Sequence, residues 1–299
     1  MLVNSSTNNS FHLHSSSTNS SFPSFLHCFF TTPSSFIFTF FSITYAFLLL
    51  PLCVFVLYRV LQEWWKKPSN SLAPTMSHSD IFTFHLALLD LIGAFGGLVS
   101  CCGIYVEDLN ILSWGILFAS FILNGESFFH ILTCVERYLA VVHPITYLRL
   151  RNERGIRIRN ISIGCVWLLC FVAMGFLKIE NIFSSMDLCF LIIAITTMSF
   201  CSLSVLCVLI RPGPGEQGGV RERVDQSKKR AFHTIVIILG VLVMRFAWGL
   251  ARAIIFLSDG SNYCVIMTSG FWFYLPSSLV LPLLFVHRTE KIVCCKNSI

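Results

Sequence analysis

The sequence predicts an all-α membrane protein, a seven-transmembrane-helix bundle with its N-terminus outside and its C-terminus inside. Three observations carry that prediction. Of 299 residues, 55% are apolar and only 12% are charged, with a mean hydropathy of +0.74. Water-soluble domains carry roughly 25% charged residues, so a soluble globular fold is excluded. Seven apolar runs follow one another, each close to the roughly 20 helical residues that cross a hydrocarbon core. The third observation is where the 21 lysines and arginines fall. With the N-terminus outside, the inner segments hold Arg59, Lys66 and Lys67, then Arg137 to Arg159, Arg211 to Arg230, and Arg288, Lys291 and Lys296. Only Lys178, Arg245 and Arg252 lie elsewhere, an asymmetry that follows the positive-inside rule. The net charge of +6 is therefore explained by topology, and no nucleic-acid partner is expected.

Residues 1–35 are rich in Ser, Thr and Asn and read as a disordered outer tail. Their sequons at Asn4, Asn8 and Asn19 are candidates for glycosylation there. No basic stretch precedes a short apolar core, which argues against a cleaved signal peptide. The apolar region then covers 36–286, with spans expected at 36–60, 81–105, 111–142, 156–177, up to 210, 231–257 and 263–286. Cys189 is expected in the loop before the fifth span, and RPGPGEQGG at 211–219, leading into Arg221 to Arg230, reads as an exposed linker. Residues 287–299 form a short inner tail, in which Cys294 and Cys295 beside a basic stretch are candidates for palmitoylation on a membrane-lying helix. The 13 cysteines include no CxxC pair and no cluster with His at zinc spacing, so no metal site is expected.

The most informative stretch is ESFFHILTCVERYLAVVHPITY at 126–147. An apolar helix ends on Glu136-Arg137-Tyr138 and then meets Pro144, which stops or turns it. This stretch resembles the Glu/Asp-Arg-Tyr segment of rhodopsin-like (class A) G-protein-coupled receptors, including His143, Pro144 and Tyr147 of the following loop. Asp90 in LALLDLIG is similar to the Asp of the family's second helix, and Trp167 to the Trp of its fourth. A lone Trp in a membrane is also explained by packing alone. The resemblance covers residues 36–295 and implies a divergent, orphan-type receptor of the plasma membrane, with heterotrimeric G-proteins as partners and no enzymatic activity.

That resemblance also implies roles for particular residues. Glu136, Arg137, Tyr138, Pro144, Trp248 and Pro282 would form the coupling and activation switch, with Arg137 held by Glu136 at rest and meeting the G-protein on activation. The plain alternative for Arg137 is a positive-inside anchor. Asp90, Glu126, Ser277 and Ser278 would converge on a bound sodium ion or a shared proton, because two nearby carboxylates resist joint ionisation. The competing assignment pairs Glu126 with Arg245 as a structural bridge. Amine receptors carry an Asp where this chain has Ala119, whereas Arg252 one turn outward of Trp248 suits an anionic ligand, with Asn124, Trp272 and Tyr274 lining the cavity. Snorkelling to headgroups also accounts for Arg252. The family's third-helix cysteine is replaced by Leu112, which leaves two pairings open, Cys189 with Cys101 or Cys102, and Cys28 with Cys264.

Several positions depart from the family pattern. Pro51 stands where the first helix usually has Asn, and the fifth span lacks a central Pro. Ala247-Trp248-Gly249-Leu250 replaces Cys-Trp-x-Pro, and Leu281-Pro282-Leu283-Leu284-Phe285 replaces Asn-Pro-x-x-Tyr. Two other function classes therefore stay open. Intramembrane Asp90, Glu126, Arg245 and Arg252 would suit an ion-coupled transporter or channel, while Leu281 and Phe285 would suit a signalling-deficient seven-helix partner protein.

Overall fold

The computed structural model describes residues 24–65, 78–150, 152–175, 180–210, 218–257 and 263–297. Nine α-helices are present among them: α1 Ser34–Trp65, α2 His78–Val106, α3 Leu109–Val142, α4 Pro144–Leu150, α5 Glu153–Gly175, α6 Glu180–Ile210, α7 Gly218–Leu257, α8 Tyr263–Ser269 and α9 Leu275–Asn297. Two 3₁₀ turns, Ser24–Phe30 and Gly270–Phe273, complete the order, and no strand is seen among the described residues. Among the described residues, seven segments are long and apolar enough to cross a membrane, lying in α1, α2, α3, α5, α6, α7 and the α8–α9 stretch Tyr263–His287. The chain is a multi-pass seven-helix protein.

Side-chain exposure follows from that placement. In α1 the buried stripe Tyr45, Leu49, Cys53, Val56 and Val60 recurs at helical spacing. Phe36 and Phe47 on other faces are 72% and 78% exposed, an arrangement that suits lipid contact and would cost heavily in water.

Local chemistry sets the ends of α3. Asp108 caps it by accepting from the backbone N–H groups of Asn110 and Ile111 at 2.7 and 3.4 Å. Such a cap is worth roughly 1 kcal/mol. At the other end His143 donates its N–H to the Leu139 carbonyl, and Pro144 opens α4 where its missing N–H is tolerated. Between α2 and α3 the backbones touch. A Cβ on Gly96 would meet the backbone of Gly115 and Ala119, and one on Gly115 would meet Ser100.

Several expectations need correction. The tail does not stay irregular to residue 35, because Leu26, Cys28 and Phe29 are buried against α1, α3 and α8, and α1 begins at Ser34. Cys189 lies inside α6, since 180–210 contains no Gly or Pro to interrupt the helix. The basic stretch 221–230 belongs to the backbone of α7, so the helix starts at Gly218. The seventh span is divided by the Gly270–Phe273 turn, and α9 then runs without a break to Asn297, so no separate membrane-lying helix is formed.

Candidate functional site

Halfway along the bundle, five of the spans contribute to one buried polar cluster. Asp90 on α2 and Glu126 on α3 have no solvent exposure, and neither do Ser277 and Ser278 on α9. Helical spacing explains the α3 contribution, because Glu126, His130, Thr133 and Arg137 share one face. Ser278 Oγ lies 3.2 Å from Tyr45 Oη, which in turn meets Asp90, and Ser277 Oγ lies 3.3 Å from His130, one turn after Glu126.

Arg245 enters the same cluster from α7. Its Nη1 donates to Glu126 Oε2 at 3.2 Å and to Ser127 Oγ at 3.3 Å. The guanidinium carbon lies 4.3 Å from the centroid of the Tyr274 ring, a cation–π contact. Side-chain exposure is 1% for Arg245 and 0% for Glu126, so the pair is shielded from solvent screening. Of the two assignments open for Glu126, the bridge to Arg245 is formed.

Asp90 is met by donors from α1. Tyr45 Oη donates at 3.3 Å to Asp90 Oδ1 and lies 3.2 Å from Ser278 Oγ, while Cys53 Sγ is 4.0 Å from Oδ2. Ser277 Oγ is 3.3 Å from His130 Nε2, and Ser278 Oγ donates to the Tyr274 carbonyl at 3.4 Å. Glu126 Oε1 and His130 Nδ1 are buried without a hydrogen-bond partner. A sodium ion requires inward-facing lone pairs. Here O–H, S–H and N–H donors already face three of the four carboxylate oxygens, so the set as built does not fit that ion.

At the Arg137 end, Arg137 Nη2 donates to Ser79 Oγ on α2 at 3.2 Å. Glu136 accepts from Tyr147 Oη of α4 at 3.3 Å, and Tyr138 Oη is 3.2 Å from His143 Nε2. Trp167 donates to His85 Nδ1 at 3.3 Å, which makes it a link between α5 and α2. Trp248 stacks on Phe273 with centroids 4.6 Å apart, against Gly270, where a Cβ would strike the indole. Pro282 sits inside α9 beside buried Leu281.

Of the candidate ligand-pocket residues, the structure describes the side chains of Trp272 and Tyr274. Trp272 packs on Phe40 and Phe41 of α1 at 5.6 and 5.7 Å, whereas Tyr274 lies over Arg245. The side chains of Asn124, Arg252, Cys294 and Cys295 lie outside the described residues, as do Asn4, Asn8 and Asn19 entirely. Cys28 and Cys264 form a disulfide with a Cα separation of 4.9 Å. Cys101, Cys102 and Cys189 are free.

Sequence reasoning missed Tyr45, Cys53, Ser79, Ser127 and His130. A signal existed for two of them: Tyr45 lies two turns before Cys53 on the buried stripe of α1, and His130 follows Glu126 by one turn. Nothing local marks Ser79. Compared with known proteins, the chain matches no family model and no curated protein.

Proposed function

We propose that the chain is a G-protein-coupled receptor of the plasma membrane, divergent within the rhodopsin-like class, that passes an outside signal to heterotrimeric G-proteins. One observation supports this most. Glu136 and Arg137 stand at the loop end of the third span, where Glu136 accepts from the Tyr147 hydroxyl and Arg137 donates to that of Ser79. A hydrogen bond to a charged group is worth roughly 1.5–3 kcal/mol, little enough for an incoming protein to displace. Arg137 is half-buried, and its guanidinium carries more N–H donors than its bond to Ser79 uses.

In this reading Arg252 supports an anionic ligand of the outer half. The direct test is ligand-independent G-protein activation in cells expressing the native chain or Arg137→Ala at equal surface level. Output above background from the native chain, reduced by Arg137→Ala, is expected. Background output from both would sink the coupling reading and favour a seven-helix partner protein. Leu281 and Phe285 already point that way, since neither offers the polar group that Asn and Tyr bring to this end of the seventh helix.

A further inference from the structure

We propose that the guanidinium of Arg245 is the resident cation of the buried cluster, standing where Asp90, Glu126, Ser277 and Ser278 would otherwise hold a soluble sodium ion. Both carboxylates are fully buried, and each charge already has a partner from the chain itself. Glu126 has Arg245 at 3.2 Å, and Asp90 has the Tyr45 hydroxyl at 3.3 Å with the Cys53 thiol beyond it. Ser277 Oγ lies 3.3 Å from His130 Nε2, and Ser278 Oγ is turned to the Tyr274 carbonyl at 3.4 Å.

An ion bound through the remaining Glu126 oxygen would share a carboxylate with the guanidinium, whose Nη1 lies 3.2 Å from the other oxygen, and at a closest approach of about 4 Å the two cations repel strongly. At an effective dielectric of about 20, that repulsion weakens binding by about a thousandfold. The same oxygen explains what removal of the charge would do. With Arg245 gone, both Glu126 oxygens become free lone-pair sites next to Asp90 and two hydroxyls, a donor set that suits a small hard cation.

A soluble ion can leave such a site while the helices stay in place. Arg245 cannot, because it is part of α7 and is also stacked on Tyr274 at the start of α9. The positive charge therefore leaves Glu126 only when the Arg245 side chain swings off Tyr274 or α7 moves away from α3. That consequence holds for any function of a seven-helix bundle, coupled to a G-protein or not.

The test uses the purified full-length protein in lipid nanodiscs and reads thermal unfolding in sodium chloride against N-methyl-D-glucamine chloride at equal ionic strength. The native midpoint is expected to be the same in both salts. Arg245→Met is expected to gain sodium-dependent stabilisation, with a half-effect concentration about a thousandfold below any native response. Arg245→Lys, which keeps the charge, is expected to stay insensitive. Glu126→Gln combined with Arg245→Met is the folded control and removes both charges of the pair, so its sodium response is expected to fall below that of Arg245→Met. Sodium stabilisation of the native protein that disappears in Asp90→Asn would overturn the proposal. So would an Arg245→Met protein that folds and responds no more than the native one.

Discussion

Arg245 Nη1 and Glu126 Oε2 meet 3.2 Å apart across α7 and α3, with almost no solvent access to either side chain. Breaking one half of such a pair leaves a buried charge without its partner, which costs roughly 3–5 kcal/mol. Replacing both by neutral side chains avoids that penalty. In sodium-free buffer, Glu126→Gln and Arg245→Met should each lower the unfolding midpoint strongly, and the double variant should lie closer to native than either. A double-mutant cycle on the purified protein measures the coupling. Single losses that simply add in the double variant would show that the two charges do not interact.

The disulfide between Cys28 and Cys264 closes a loop across 236 residues and ties the Ser24–Phe30 turn to α8. Around it Phe29 packs edge-on against Phe38 at 4.7 Å and near Phe271 at 6.2 Å. Because one bond is lost in every case, Cys28→Ser, Cys264→Ser and the double variant should be destabilised equally, by roughly 2–5 kcal/mol. Mass spectrometry under non-reducing conditions should recover the Cys28 and Cys264 peptides joined. Unequal single variants, or Cys189 appearing in that crosslink, would contradict the pairing.

These two features also show how far the residues could be read before their arrangement was known. Hydropathy revealed the seven spans because each must expose an apolar surface such as Phe36 and Phe47 to lipid. The convergence of Asp90, Glu126, Ser277 and Ser278 was legible because intramembrane polar groups are few and must face inward. Its chemistry was less so. Arg245 could equally have stayed apart from Glu126, and only the distance between α3 and α7 decides that. Tyr45 and Cys53 look like ordinary members of an apolar helix, and their donor role appears only once α1 lies against α2. The Ser24–Phe30 turn was hidden by its Ser-rich surroundings, since Leu26 and Phe29 gain their burial from neighbouring α1 and from α3 and α8, far away in sequence.

Ser79 holds Arg137 through one hydroxyl at 3.2 Å. Ser79→Ala removes that acceptor and leaves the size of the side chain nearly unchanged, so Arg137 should be free more of the time. A bond of roughly 1.5–3 kcal/mol changes a two-state balance by about 10- to 150-fold at most. Competing contacts reduce this to a few-fold rise in ligand-independent G-protein activation, with Ser79→Thr near native. The rise should vanish when Arg137→Ala is added. A rise that persists in the absence of Arg137 would place the effect of Ser79 elsewhere.

Gly270 and Trp248 offer a test of the seventh span without charge. A Cβ at 270 would strike the indole ring, which is stacked on Phe273 at 4.6 Å, so Gly270→Ala must displace either Trp248 or the 3₁₀ turn. Overpacking of this kind costs about 1–3 kcal/mol. Trp248→Phe is smaller, lacks the indole nitrogen nearest the added Cβ, and should rescue the alanine variant while costing the native background stability by itself. Thermal unfolding of the four proteins, read alongside the tryptophan emission spectrum, decides it. Gly270→Ala should lower the midpoint and shift the emission, and adding Trp248→Phe should recover much of the loss. If Gly270→Ala costs as much with Phe at 248 as with Trp, the clash lies in the backbone of the turn and Trp248 is not what confines it.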